Sequence, residues 1–259
     1  MSYVVLERRG PVLIIKLNRP ERRNAFDLEM RAAIADAIYQ ARDDDSVRSV
    51  VITGAGNTFC AGGDLKSLSE AKRPVFKDRE RIRRLHIWFR ELVNLEKPVI
   101  AAVDGAAFGA GFNLALACDF VIGTPRSRFC AAFGRIGLVP DLGGFFLLPR
   151  IVGLQRAKDI VFSAREIGAE EAVNLGILSR IVPQEQLLEE AVAQAERYSE
   201  TSIEALGIAK NILNRSFNLD QDTLAELEAS AQALALHTEY HDDAVDRFLT
   251  KQPLKFRGE

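Results

Sequence analysis

Apolar and polar residues alternate over positions 3–8 and 11–17, on either side of Arg9-Gly10-Pro11, and predict an N-terminal hairpin. A turn-rich loop, Asn18 to Asn24, leads to Asp27. That residue is placed to cap a helix in which Leu28, Ala32, Ile34, Ala35, Ile38 and Ala41 keep helical spacing. Ser49 to Thr53 reads as a short buried strand feeding the glycine-rich loop 54–64, and positions 66–76, without a clear period, are expected to be mobile. A helix is predicted from about 77 to 95, with Ile82, Leu85, Trp88, Phe89 and Leu92 on one side. Its basic residues, Lys77, Arg79, Arg81, Arg83 and Arg84, read as a solvated face in preference to a phosphate site. A strand at 98–103, a small-residue helix start at 109 and a strand at 119–123 follow. Then come a helix around 144–162, a shorter one near 168–175 and a strand at 177–182.

After Pro183 the pattern changes. Segments 185–199, 202–217, 220–238 and 241–250 all read as amphipathic helices, with no strand signal between them. The expectation is a βα-rich core over residues 1–183 and a helical region over 184–259 whose apolar faces need covering, in part by other copies of the chain.

Composition narrows the functional classes. Over 259 residues, 34 Lys plus Arg stand against 36 Asp plus Glu, a formal charge of −2, which gives no case for nucleic acid or an anionic membrane as partner. Cys60, Cys118 and Cys130 are scattered, without metal-ligand spacing, and read as buried small hydrophobes of a reducing compartment. His86, His237 and His241 form no metal motif. The first residues lack the apolar run of a signal peptide and no apolar stretch reaches membrane-spanning length, so a cytoplasmic location is expected.

Candidate chemistry concentrates between Pro98 and Leu142. An apolar strand breaks at Asp104-Gly105, and Gly109-Ala110-Gly111 stands directly ahead of an apolar helical pattern. Small residues at such a junction let a ligand approach the backbone, and the open N–H groups of the first helical turn can face developing negative charge. Some thirty residues on, Asp141 is an isolated acid beside Pro140 in an apolar segment. Amides that polarise a carbonyl and one acid are the minimum for proton chemistry beside that carbonyl; the bland alternative is that Asp141 caps a helix beginning near 143. The loop Gly54-Ala55-Gly56 invites a dinucleotide reading, but Phe59 stands where the third glycine belongs. Instead, Ala61-Gly62-Gly63 offers bare backbone to a ligand channel and Asp64 can cap the next turn.

The segment Phe59-Cys60-Ala61-Gly62-Gly63-Asp64-Leu65 resembles the F-x-A-G-x-D-[LI] motif of the crotonase (enoyl-CoA hydratase/isomerase) superfamily. Leu17-Asn18-Arg19-Pro20 with Asn24-Ala25, the run Lys97 to Gly105, and Gly109-Ala110-Gly111 through Cys118-Asp119 are similar to the same family in order and spacing. The resemblance extends from about residue 3 to Phe256. It implies an α/β fold, a crotonase-like spiral of ββα units with a C-terminal helical trimerisation region, assembled as a homotrimer or dimer of trimers. It also implies a coenzyme A thioester as substrate, with no separate cofactor or metal. The family's two thioester-binding N–H groups fall on Gly63 and Ala110. Its adenine and phosphate contacts map to backbone at Arg22-Arg23 and Ala61 and to Lys66, with Phe248 and Lys251 of a neighbouring subunit as further candidates, and Gly62, Asp64, Leu65 and Gly109 are counted among the substrate-binding residues.

Where hydratases of this family carry two glutamates, this chain has Asn113 and Phe133, neither a general acid or base near neutral pH. The segment Ala132 to Gly144, followed by Leu147-Leu148-Pro149-Arg150, resembles the phenylacetate-pathway enoyl-CoA isomerase branch, in which the aspartate after proline is the acid/base. The resemblance therefore implies an isomerase with Asp141 as proton shuttle and Asn113, Phe133 and His86 shaping the acyl pocket. Three alternatives stay open: an unusual hydratase, a non-catalytic acyl-CoA-binding homologue, and a hydrolase resembling aryl-CoA dehalogenases, which pair an aspartate at this position with a histidine at that of His86.

Overall fold

Strands β1 (Val4–Arg9) and β2 (Val12–Leu17) pair antiparallel about Gly10 in a computed structural model that describes residues 2–70 and 74–256. Next come α1 (Leu28–Asp43), β3 (Ser49–Gly54), α2 (Leu65–Glu70), α3 (Val75–Val93), β4 (Val99–Val103), β5 (Ala106–Phe108), α4 (Ala110–Leu116), β6 (Phe120–Gly123) and β7 (Arg128–Cys130). The remainder is α5 (Gly144–Val152), α6 (Leu154–Ser163), β8 (Ile167–Gly168), α7 (Ala169–Asn174), β9 (Arg180–Ile181) and the helices α8 (Leu187–Ser199), α9 (Ile203–Arg215), α10 (Gln221–Ala235) and α11 (Glu239–Leu249).

The main sheet has the order β1-β2-β3-β4-β6-β9, parallel beyond the first hairpin. A parallel sheet is covered on both faces, so its central strands are nearly continuous apolar runs, and β4 is buried at every position. Alternate residues serve two cores. Val50, Ile52, Val99 and Ala101 pack towards Ile34 and Ile38 of α1 and Leu85 and Leu92 of α3. Val51, Ile100 and Ala102 pack against Ala191, Val192 and Ala195 of α8. Truncating Ile38 to alanine in such a core costs roughly 2–5 kcal/mol.

A second sheet, β5-β7-β8, stands beside the first. β4-β5-α4 gives one strand to each sheet and then a helix, and β6-β7 with α5 repeats the plan, so the chain winds as a ββα spiral. After β3 the second strand shrinks to two isolated bridges, Thr58 with Gly105 and Cys60 with Ala107.

Several details differ from the expectation. The helix foreseen over 144–162 is broken at Gly153 into α5 and α6, because Gly153 adopts a φ of +81°. The strand foreseen over 177–182 contracts to β9: the amides of Ile177 and Leu178 both donate to the carbonyl of Ala172, closing α7 instead of joining the sheet. The small second sheet was not foreseen. Part of 66–76 is the short helix α2, whose opening amides at Lys66 and Ser67 donate to the Asp64 carboxylate at 3.0 and 3.2 Å. Positions 71–73 of that stretch lie outside the described residues. α10 and α11 bury none of their residues in the single chain. Among the described residues, no helix is long and apolar enough to cross a membrane.

Candidate active site

The candidate site has two walls, a backbone segment and a loop that carries an acid, joined by the Asn113 side-chain amide on the Asp141 carbonyl. The first is built from backbone. Asn24, fully buried, donates its amide to the carbonyls of Ala55, Thr58 and Phe59, while its own oxygen accepts from the Arg19 amide. This fixes the course of loop 55–64. Ala61 N–H then donates to the Arg23 carbonyl at 3.0 Å, Phe26 N–H to Gly62 at 2.7 Å, and Asp64 N–H to Phe26 at 3.0 Å. In such a parallel bridge the intervening residue's amide points the other way, so Gly63 turns its N–H away from Phe26. Ala110 opens α4, where a helix has no internal acceptor for its first amides. Among the described residues, neither the Gly63 nor the Ala110 N–H donates a hydrogen bond.

The two segments touch because Gly62 has no side chain. It sits at a φ of +93°, and a Cβ there would lie 2.7 Å from the Phe108 carbonyl oxygen and 3.4 Å from the Ala110 nitrogen. Gly109 is anchored by its N–H to the Cys130 carbonyl at 2.8 Å, with the Phe133 ring close against it. Two open amides on adjacent rigid segments can bind one developing oxyanion.

The second wall carries the acid. Asp141 precedes α5 but does not cap it. The cap position is Gly143, and no side chain closes the first turn. One oxygen of the Asp141 carboxylate, Oδ1, is buried with no hydrogen-bond partner. Burial pushes its pKa above the ordinary carboxylate range, and Arg31, His86 and Arg81 pull partly back. The Asp141 carbonyl, by contrast, accepts from the Asn113 side-chain amide at 2.7 Å and from Gly144 N–H at 3.0 Å.

The other expected residues divide. His86, on α3, is half-buried, set against the edge of Phe89 at 6.2 Å between ring centroids, and within electrostatic reach of Asp141. Asn113 and Phe133 are buried on the α4 side. Asp64 is used locally, capping α2 and lying 3.8 Å from the Arg19 guanidinium, which also pairs with Asp27. Arg23, Leu65 and Lys66 are exposed on the rim of the loop. Phe248, 73% exposed on α11, and Lys251 just past its end make no hydrogen bond or ion pair to either wall among the described residues.

Sequence reasoning missed Arg31 and did not assign Arg81 to the site. Both line an open groove of about 560 Å³ between α1 and α3, beside Leu28, Leu85 and Trp88 and the charged Lys77, Glu80 and Arg84; its lining includes neither Asp141 nor the two amides. A signal existed for Arg31. It lies three residues after Leu28 and four before Ala35, which puts a charge on an apolar helical stripe.

The Enoyl-CoA hydratase/isomerase family profile matches residues 7–259, and the chain belongs to that family. Across its whole length it is 35% identical to 1,2-epoxyphenylacetyl-CoA isomerase of Escherichia coli, covering 99% of that protein. It is 32% identical to short-chain-enoyl-CoA hydratase of Clostridium acetobutylicum, over 98% of this chain and 97% of the other. A crystal structure of an enoyl-CoA hydratase/isomerase from Cupriavidus metallidurans superposes with a TM-score of 0.94 at 42% identity, covering 100% of this chain and 97% of that one.

Proposed function

We propose that the chain is an enoyl-CoA isomerase that moves a double bond in an acyl-CoA thioester through an enolate. The observation that carries this reading is Asp141, a half-buried carboxylate with an unpartnered oxygen and a raised pKa, on a loop that Asn113 ties to the helix opened by one of the two open amides. Its carboxylate takes a proton from the carbon between the thioester and the double bond. The electron pair passes to the thioester oxygen, which the Gly63 and Ala110 amides hold as an enolate. The protonated Asp141 then returns the proton two carbons along, leaving a double bond conjugated with the thioester. A base for a weak carbon acid works best when its pKa lies near the working pH, which burial favours.

Asn113 and Phe133 support isomerisation over hydration. The Asn113 amide is committed to the Asp141 carbonyl, and the Phe133 ring against Gly109 makes its side of the pocket apolar. The hydratase name of one relative keeps water addition as the rival outcome. Two absorbance assays separate them. One offers a 3-enoyl-CoA and follows conjugation, the other offers a 2-enoyl-CoA and follows its loss to water. Conjugation by the wild type, abolished in Asp141→Asn, supports the isomerase; hydration alone overturns it. Silence in both assays directs attention to aryl-CoA thioesters, where His86 beside Asp141 would matter, and then to a non-catalytic acyl-CoA-binding role. The exposed apolar residues of α10 and α11, Leu234 and Leu249 among them, support assembly as a homotrimer or dimer of trimers, with Phe248 and Lys251 offered to a neighbour's coenzyme A. Light scattering of the purified protein tests that assembly.

A further inference from the structure

We propose that Asn113 is a positioning residue: its side chain ties the helix that carries one oxyanion amide to the loop that carries the acid, and so sets the gap the proton must cross. The inference rests on the isomerase reading for its kinetic consequence and on geometry for its substance. Asn113 lies one helical turn below Ala110, and its own N–H donates to the Gly109 carbonyl at 3.1 Å. It is 2% exposed, and its side-chain amide reaches across to the main-chain oxygen of Asp141 at 2.7 Å. It therefore orients the backbone of the acid without neutralising its carboxylate.

That backbone needs holding. Leu142, directly after Asp141, is a buried non-glycine residue at a φ of +40°, and Gly143 follows at +72°. A left-handed leucine is strained and persists only where its surroundings enforce it. On one side Phe89 packs so tightly that a Cβ on Gly143 would lie 2.4 Å from its ring. On the other, Asn113 holds the preceding carbonyl. Gly144 leaves room for it, since a Cβ there would lie 2.6 Å from Asn113 Nδ2 and 3.0 Å from Cγ.

Two substitutions probe this contact from opposite sides. Asn113→Ala removes the donor; Gly144→Ala leaves the donor but fills its place, at a helical position that alanine favours. Each is expected to lower kcat by roughly 10–100-fold, the scale set by misplacing a reacting group by about 1 Å. The dissociation constant of a saturated acyl-CoA is expected to stay within about threefold. The acidic limb of the kcat profile is expected to move to lower pH, because a loosened Asp141 gains water. The double variant is expected to be no worse than the poorer single one, since both break one contact. Additive losses with an unmoved acidic limb would overturn the proposal.

Amide hydrogen exchange gives a reading independent of turnover. The Gly144 N–H shares the Asp141 carbonyl with Asn113, and its exchange is expected to rise by about tenfold in Asn113→Ala. Unchanged exchange overturns the proposal even in an active enzyme. A wild type without isomerase activity but with faster exchange in the variant would refute the reaction assigned above and leave the positioning contact standing.

Discussion

The two walls of the site do opposite things to stability. The donor wall is backbone held by ordinary bonds, with the Asn24 side-chain amide and the Phe26–Gly63 bridge fixing the loop that meets the start of α4. The same bonds that fold it also aim it. The acid wall holds a half-buried carboxylate, one oxygen of which is buried and unpartnered, next to a leucine in left-handed backbone. Charge buried this way costs folding free energy, and the strain beside it adds to that cost. On the proposed reading, structure and function pull together on one wall and apart on the other.

The largest break in that contrast is Asp141→Asn. We expect kcat to fall by roughly 10²–10⁴ with acyl-CoA binding retained, since the lost group acts mainly in proton transfer. Ala110→Pro removes one open amide at a helix position that tolerates proline, and steady-state kinetics are expected to register a loss of roughly 10²–10³. Unchanged turnover in either variant removes that wall from the mechanism.

The stability readouts sharpen the comparison. Gly62→Ala forces a Cβ to 2.7 Å from the Phe108 oxygen at a φ of +93°, so activity and melting temperature are expected to fall together, the latter by about 5 °C. Asp141→Asn is expected to move them in opposite directions, raising the melting temperature at neutral pH by on the order of 1–3 °C. The sign follows from the raised pKa of Asp141 in the fold. The folded state favours the protonated acid, so the wild type is relatively most stable below the ordinary carboxylate range and loses that contribution as pH rises through the folded pKa. Melting curves should therefore converge at low pH and separate at neutral pH. Convergence at neutral pH would mean that the carboxylate is not destabilised by its surroundings.

The pattern of apolar positions was enough to foresee the hairpin, β3, β4, the basic helix and the helical tail, because each has a clear period or a run of β-branched residues. It did not disclose β5, β7 and β8, two or three residues each, which exist because the spiral brings them together. The donor wall was legible through its local motif and glycines. On the acid wall Asp141 stood out from its neighbours, but its surroundings did not. Arg31 lies on α1, more than a hundred positions earlier, and a one-dimensional pattern does not record which helix crosses which loop.

The stitching of loop 55–64 also bears on how the molecule comes into being. Asn24 bonds across some thirty residues to Ala55, Thr58 and Phe59, and the bridges from Thr58 and Cys60 reach a further forty or more to Gly105 and Ala107. Contacts of such sequence separation form late, because the chain between them must first be ordered. Those spans match the 37 and 49 residues that separate paired positions of β2 with β3 and β3 with β4, so the binding loop closes together with the parallel sheet, and recovery of ligand binding on refolding should accompany recovery of the sheet.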